Sequence, residues 1–97
     1  MYVQMVRIQI QPGKIDEAIG IFKDSVLPAV SGQPGFKNAY LLVDREGNKG
    51  VGFTLWETEA DVAALASSGF YQEQVGKFAA VFAAPPEREV YEVALEA

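Results

Sequence analysis

The chain has 97 residues, so its size is that of one domain built around a single core. Its net charge is -5 and no two Lys or Arg residues are adjacent, which argues against nucleic acid and anionic membrane surfaces as partners. No uncharged stretch is long enough to span a bilayer, and Met1 leads directly into a strand pattern without a secretory signal. We therefore expect one domain over residues 1–97, located in the cytoplasm.

The sequence contains neither Cys nor His, and these absences exclude several kinds of chemistry. Without Cys there is no disulfide and no thiol nucleophile. Without His there is no Ser–His or Cys–His nucleophile pair and no imidazole ligand for zinc, non-haem iron or haem. A site for magnesium or calcium made only of carboxylates is conceivable, but the acidic residues lie in pairs at element ends, where helix capping and solvation account for them. We expect no metal and no cofactor.

The first part of the chain reads as strand, helix and strand. Residues 2–10 alternate and are rich in β-branched side chains, which predicts the first strand. A Pro-Gly pair ends it, and apolar residues then recur at helical spacing over residues 15–30. Pro28 cannot donate a helical hydrogen bond, so we expect a kink or a tightened last turn there. Residues 36–44 form the second predicted strand.

A β-hairpin leading into a helix follows. A four-residue loop containing Gly47 separates the second strand from a third strand over residues 49–57, which is typical of a hairpin. Thr58 and Asp61 have the spacing of a capping box and predict the start of a short helix. The only Trp of the chain, Trp56, lies at the exit of the third strand.

The last part of the chain reads as a second helix and a strand. Ser-Ser-Gly at residues 67–69 interrupts the short helix, and residues 88–96 form the last predicted strand. Between them we expect a longer helix that presents one apolar stripe, made of Tyr71, Val75, Phe78 and Phe82. The order β-α-β-β-α-β predicts an α+β, ferredoxin-like fold with an antiparallel four-stranded sheet.

Both faces of this sheet are apolar, although its helices can cover only one of them. In the third strand Val51, Phe53 and Leu55 point one way and Trp56 points the other. In the second strand the same alternation groups Phe36, Tyr40 and Leu42 on one face, opposite Ala39, Leu41 and Val43. An exposed apolar patch of roughly several hundred Å² usually marks an interaction site. We therefore expect a homodimer through its sheet faces; the alternative is a mildly apolar free surface.

The inner face of the third strand is where the sequence leaves room for a ligand. Gly50, Gly52, Thr54 and Trp56 share that face, and two glycines beside a Trp leave space over the sheet. Thr54 and Gln74 are available as hydrogen-bond donors. The candidate ligand-binding residues are Val6, Ile8, Gly52, Trp56, Tyr71, Val75 and Phe78. Such an apolar slot suits a flat aromatic or polyketide-like molecule.

The same residues also have purely structural interpretations, which the sequence leaves open. Trp56 is equally well explained as core packing, and the glycines as packing positions or a bulge. Tyr71 and Phe78 lie on a stripe that any core helix would show. Arg7 alternates with apolar residues of the first strand, so we expect it to point into the dimer and pair with a carboxylate of the partner.

Four short segments resemble a known family. They are Gln33-Pro34-Gly35-Phe36, Tyr40-Leu41-Leu42, Thr54-Leu55-Trp56-Glu57-Thr58 and Phe70-Tyr71. They resemble the antibiotic biosynthesis monooxygenase domain family, whose members are dimeric α+β barrels, and the resemblance covers essentially the whole chain. It implies a pocket between the sheet and the helices of each subunit, lined by a Trp at the end of the third strand, which Trp56 matches.

The resemblance also bears on the chemistry. Haem-degrading members carry an Asn in the first strand and a His on the late helix, where this chain has Val6 and Gln74, so we reject haem degradation. Quinone-forming members that need no cofactor carry an Asn four residues before the Trp, where this chain has Gly52. With these members as the guide, the resemblance implies a cofactor-independent monooxygenase of a small aromatic or polyketide-like compound, with Trp56, Thr54 and Gln74 as candidate catalytic residues.

Two other functions stay open. The missing polar residues favour a non-catalytic dimeric module that binds a small apolar ligand or serves as an assembly partner. An isomerase or lyase on the same fold is a further possibility.

Overall fold

The computed structural model describes residues 1–97 and contains a single four-stranded antiparallel sheet. Its elements are β1 (Tyr2–Gln9), α1 (Ile15–Ile21), a π-helical turn (Phe22–Val26), α2 (Leu27–Ser31), β2 (Phe36–Asp44), β3 (Lys49–Trp56), α3 (Glu59–Ser67), α4 (Phe70–Gly76) and β4 (Glu87–Glu92). The strand order is β2-β3-β1-β4. The ferredoxin-like α+β fold predicted from the sequence is confirmed. None of the helices has the length and apolar character needed to span a bilayer.

The two central strands, β1 and β3, set the geometry of the inner face of the sheet. Val6 lies opposite Gly52 and Ile8 lies opposite Gly50. Because side chains alternate along a strand, all four positions present the same face to the helices. The apolar core lies between this face and the helices, with Ile10 and Trp56 among its largest fully buried side chains.

The helical segment between β1 and β2 differs from the expected one. We predicted a kink or a tightened last turn at Pro28, whereas the chain widens into the π-helical turn just before it. Pro28 has no N–H to donate and its ring crowds the preceding turn. A wider turn accommodates both effects, and Pro28 then occupies the first turn of α2, where a missing N–H is tolerated.

The junction between β3 and α3 is fixed by the predicted capping box. The Thr58 hydroxyl accepts from the Asp61 backbone N–H at 3.2 Å, and the Asp61 carboxylate accepts from the Thr58 backbone N–H at 3.2 Å. Gly35 packs directly against this carboxylate, because a Cβ built there would lie 1.9 Å from Asp61 Oδ2. Gly35 also has φ +80°, so both its conformation and its surroundings require glycine.

One face assignment in β2 is wrong. We expected Phe36 to lie on the same face as Tyr40 and Leu42, but it packs edge to face on Trp56 with ring centroids 5.7 Å apart. A β-bulge between Phe36 and Asn38 inserts one residue and reverses the alternation at the start of the strand. Phe36 therefore belongs to the core.

The C-terminal part is less regular than predicted. The helix after residue 69 ends at Gly76, and turns carry the chain to Phe82, which forms an isolated bridge with Ile10. Glycine is a weak helix former, which is consistent with an end at this point. The last strand covers Glu87–Glu92 and not residues 88–96, because β4 pairs only with β1 and Glu92 is already opposite Tyr2, the first residue of β1.

Candidate functional site

A cavity of about 90 Å³ lies between the inner face of the sheet and the helices. It has 17 lining residues, of which 13 are hydrophobic. All of the predicted site residues line it, namely Val6, Ile8, Gly52, Thr54, Trp56, Tyr71, Gln74, Val75 and Phe78. Several lining residues, among them Phe70 and Tyr71, are only half-buried, so the cavity is not sealed from the surface.

The sequence did not identify the wall contributed by the first helical segment. Phe22 and Val26 from the π-helical turn and Val30 from α2 close one side of the cavity, and Leu41 from β2 closes another. The helical spacing of Phe22, Val26 and Val30 was visible in the sequence but indicates only burial. Gln4 also lines the cavity, and its alternation with Val6 and Ile8 was the signal that could have found it.

The two glycines of β3 have different roles. A Cβ built on Gly50 would lie 2.7 Å from the Leu42 carbonyl oxygen, so Gly50 permits a close approach of β2. A Cβ built on Gly52 would meet nothing within 4 Å. Since Gly52 lines the cavity, its missing side chain is the reason for part of the empty space.

The indole of Trp56 is fully buried and its N–H is already satisfied. Trp56 Nε1 donates to Thr54 Oγ1 at 2.7 Å, and the Thr54 hydroxyl in turn donates to the Gln4 backbone carbonyl at 3.4 Å. Trp56 can therefore contact a ligand only through the surface of its ring. The Thr54 hydroxyl already donates its one proton to a backbone carbonyl and has none left for a ligand.

We expect Thr54→Val to lower the free energy of unfolding by about 1–3 kcal/mol, because it keeps the side-chain shape and leaves the buried Trp56 N–H without an acceptor. Urea denaturation followed by Trp fluorescence measures this change. Thr54→Ser retains the oxygen and should stay close to the wild type. If Thr54→Val were as stable as the wild type, the hydrogen bond from Trp56 to Thr54 would not contribute to the stability of the fold.

Two cations that do not line the cavity contact the glutamines that do. Lys77 Nζ donates to Gln74 Oε1 at 2.8 Å, and Arg88 Nε donates to Gln4 Oε1 at 2.6 Å. The Arg88 guanidinium also lies over the Tyr71 ring, 5.5 Å from its centroid. Burial raises the pKa of the Tyr71 phenol, and the charge of Arg88 opposes this increase. With an ordinary pKa of about 10 for tyrosine, Tyr71 stays protonated at neutral pH.

Arg7 lies on the opposite face of the sheet and has a partner within its own chain. Arg7 Nε donates to Glu89 Oε1 at 2.5 Å, and the Tyr91 hydroxyl donates to the other oxygen of the same carboxylate. These hydrogen bonds, from Tyr91 first and Arg7 second, lower the pKa of Glu89. We expected Arg7 to pair with a carboxylate of another subunit, but β4 places Glu89 of the same chain beside it, so Arg7 has its counter-charge without a partner.

Residues 1–84 match the family model described as antibiotic biosynthesis monooxygenase. Two uncharacterised proteins of Mycobacterium tuberculosis are each 33% identical to this chain over 98 residues. These alignments cover 97% of this chain and 41% of each relative. The chain thus spans about two fifths of the length of the curated relatives it matches.

Several solved structures have the same fold. A putative antibiotic biosynthesis monooxygenase of Bordetella bronchiseptica superposes with a TM-score of 0.79 at 21% identity, covering 97% of this chain and 98% of that one. A Streptomyces coelicolor monooxygenase in complex with nanaomycin D gives 0.77 at 16%, covering 99% and 92%. A MhuD variant with two manganese protoporphyrin IX molecules per active site gives 0.79 at 24%, covering 100% and 98%. At these identities the likeness shows the fold.

The cavity of this chain does not fit a porphyrin. Its volume of about 90 Å³ is well below the roughly 300–1,000 Å³ of pockets for drug-sized ligands. No His or Cys is present to ligate iron, and the one phenol in the lining, Tyr71, has a raised pKa. No group of three or more Asp or Glu residues is arranged to hold a metal ion.

Proposed function

Because this chain belongs to the antibiotic biosynthesis monooxygenase family, we propose that it is a cofactor-independent monooxygenase of a small phenol. The observation that supports this proposal is the apolar cavity beneath Trp56, with buried amides at its edge. For comparison, an apolar cavity of about 150 Å³ binds benzene. A cavity of about 90 Å³ that opens to the surface favours a single ring with its oxygen substituents near the mouth, and not a fused polyketide.

The proposed reaction needs no external reductant. An ionised phenol donates an electron to O₂, and the resulting radical pair recombines at a ring carbon. Loss of water from that adduct replaces the C–H bond by C=O and gives a quinone. The phenol loses four electrons and O₂ gains four, so one oxygen atom enters the quinone and the other leaves as water. The protein contributes orientation of the ring, exclusion of solvent and hydrogen bonds to the phenolate oxygen.

The residues divide these tasks. Trp56 and Phe78 form apolar walls that hold the ring, and Gly52 leaves the space it occupies. Gln74 supplies a hydrogen bond to oxygen, while Thr54 acts through Trp56 by holding the indole. No side chain of the cavity titrates near neutral pH, so the phenol must lose its proton to solvent.

The active unit is proposed to be a homodimer formed through the outer sheet face. Tyr40 is 56% exposed and Leu42 and Tyr91 are each 50% exposed on that face, and no element of the chain covers them. Burial of apolar surface is worth about 25 cal/mol per Å², so pairing of two such faces is favoured. In a two-fold symmetric dimer the outer sheet face of one subunit would pack against the same face of the other.

A second candidate function is supported by one observation. The only ionisable side chain among the cavity residues is Tyr71, which stays protonated, so the cavity contains no general base. A non-catalytic module that binds a small aromatic ligand needs none. Both candidates use the same cavity and differ in whether O₂ is consumed.

An oxygen electrode distinguishes the two functions. With a panel of alkylated phenols and hydroquinones in buffer containing a chelator, the monooxygenase should consume one O₂ for each quinone formed. Added catalase should return no O₂, because the reaction yields water, whereas spontaneous oxidation of hydroquinones yields peroxide. Saturable binding of these phenols without O₂ consumption would contradict the monooxygenase and favour the binding module.

A further inference from the structure

The two glutamines of the cavity share an unusual arrangement. Gln4 is 7% exposed and Gln74 is 9% exposed, and in each the side-chain oxygen is bound by a cation. Arg88 holds Gln4 and Lys77 holds Gln74. An amide whose oxygen is occupied in this way has a fixed orientation, because a flip would place its NH₂ group against a positive charge.

The nitrogen of each amide has no acceptor within the protein. Neither Gln4 Nε2 nor Gln74 Nε2 donates to a protein acceptor, and no fully buried side-chain nitrogen or oxygen lacks a partner. Both nitrogens must therefore be accessible, although both side chains are more than nine-tenths buried. Both residues line the cavity, whose exposed surface is almost entirely apolar.

Most of the other polar groups of the cavity already have partners within the protein. The Trp56 N–H and the Thr54 hydroxyl bond within the protein. Tyr71 is the one remaining group that can both donate and accept. The two amide nitrogens, each polarised by a cation, and the Tyr71 hydroxyl are therefore the candidate hydrogen-bonding groups for a ligand in a largely apolar cavity.

We infer that Arg88 and Lys77 are positioning residues that turn the Gln4 and Gln74 amides toward the cavity, so that it selects a single-ring ligand with conjugated acceptor oxygens, in its phenolate or quinone form. This inference deepens the proposed function and rests on its choice of a small aromatic ligand. Donors fixed in an apolar site stabilise an oxyanion more than a neutral hydroxyl. The two cations behind the amides add to the preference for negative charge.

The sign of a ligand pKa shift tests the inference. The probe is 4-nitrophenol, whose phenolate absorbs visible light, titrated across pH with the wild-type protein in excess. We expect bound 4-nitrophenol to ionise at a lower pH than free 4-nitrophenol, by about one unit, equal to a tenfold preference for the phenolate. Burial in an apolar cavity without donors raises a phenol pKa, so an unchanged or raised pKa would overturn the inference.

Variants separate the positioning role from packing. Gln4→Leu and Gln74→Leu should each weaken phenolate binding by about tenfold or more, the loss expected for a hydrogen bond to a charged group. Lys77→Met should reduce the pKa shift by freeing the Gln74 amide to rotate, while toluene, which has no acceptor, should bind as it does to the wild type. Gln72→Leu, an exposed position on α4, is the matched control and should change neither ligand.

The inference and the proposed function can fail separately. A lowered pKa of bound 4-nitrophenol without O₂ consumption by any phenol would keep the inference and reject the monooxygenase. Consumption of O₂ together with equal affinity for toluene and 4-nitrophenolate would keep the monooxygenase and reject the inference. A protein that binds toluene but not 4-nitrophenol, or binds neither, would overturn the inference.

Discussion

Gly52→Leu is expected to abolish binding of aromatic ligands, and with it any O₂ consumption, in a protein that remains folded. A Cβ at Gly52 would meet no atom within 4 Å, and the position lies mid-strand in β3, between Val6 on β1 and Leu41 on β2. Four added carbon atoms at this point would occupy much of a cavity of about 90 Å³. Ligand and side chain cannot share the space.

The stability of this variant should change little. Adding methylenes to a filled core costs about 1–3 kcal/mol, but here the new side chain enters space that is already empty. Replacing glycine within a strand also removes an entropic penalty. We expect the free energy of unfolding to stay within about 1 kcal/mol of the wild type. Urea denaturation and titration calorimetry with 4-nitrophenol measure the two properties on the same sample.

Two other glycines provide controls. Gly20→Leu places the same side chain in open space on α1 and should leave ligand binding unchanged. Gly50→Ala adds one carbon 2.7 Å from the Leu42 carbonyl oxygen and should destabilise the protein, although Gly50 shares a face with Gly52. Unchanged ligand binding by Gly52→Leu would place the ligand elsewhere. A large loss of stability would mean that the space at Gly52 is needed for packing.

The strand alternation explains why so much of the site could be predicted. Side chains in a strand alternate with a fixed period of two, so the order Gly50, Gly52, Thr54 and Trp56 determines one face without any knowledge of tertiary contacts. The register with β1 then brings Val6 and Ile8 to that face. The predictions that failed concern places where such a period is interrupted. One example is the β-bulge that moved Phe36 into the core.

The polar part of the site could not be predicted for a different reason. Arg88 and Gln4 are 84 residues apart in sequence, and the sequence contains no local signal that pairs them. The pairing exists because β4 returns beside β1 and places Arg88 opposite Val6, on the inner face. The same long-range pairing gave Arg7 a partner in Glu89, which local reasoning had sought in another subunit.

Phe53→Asp is expected to convert the proposed homodimer into a folded monomer. Phe53 lies on β3 opposite Met5 on β1 and Tyr40 on β2, and its ring meets that of Tyr40 edge to face at 5.9 Å. In a two-fold symmetric dimer each subunit carries the substitution, so the interface changes at two places. Losing the burial of each Phe costs about 1.5–3 kcal/mol, before the cost of burying a carboxylate. The dissociation constant of the dimer should rise by at least about a thousandfold.

Sedimentation equilibrium measures the mass, and circular dichroism shows whether the fold persists. Ala63→Asp adds the same charge on an exposed position of α3 and should remain dimeric. Leu42→Asp is a second test on the outer face, and because Leu42 is 50% exposed its substitution should not disturb the core. If both outer-face variants remain dimeric, the interface lies elsewhere. If the wild type is itself a monomer, the exposed face is a free apolar surface and the sheet-to-sheet dimer is excluded.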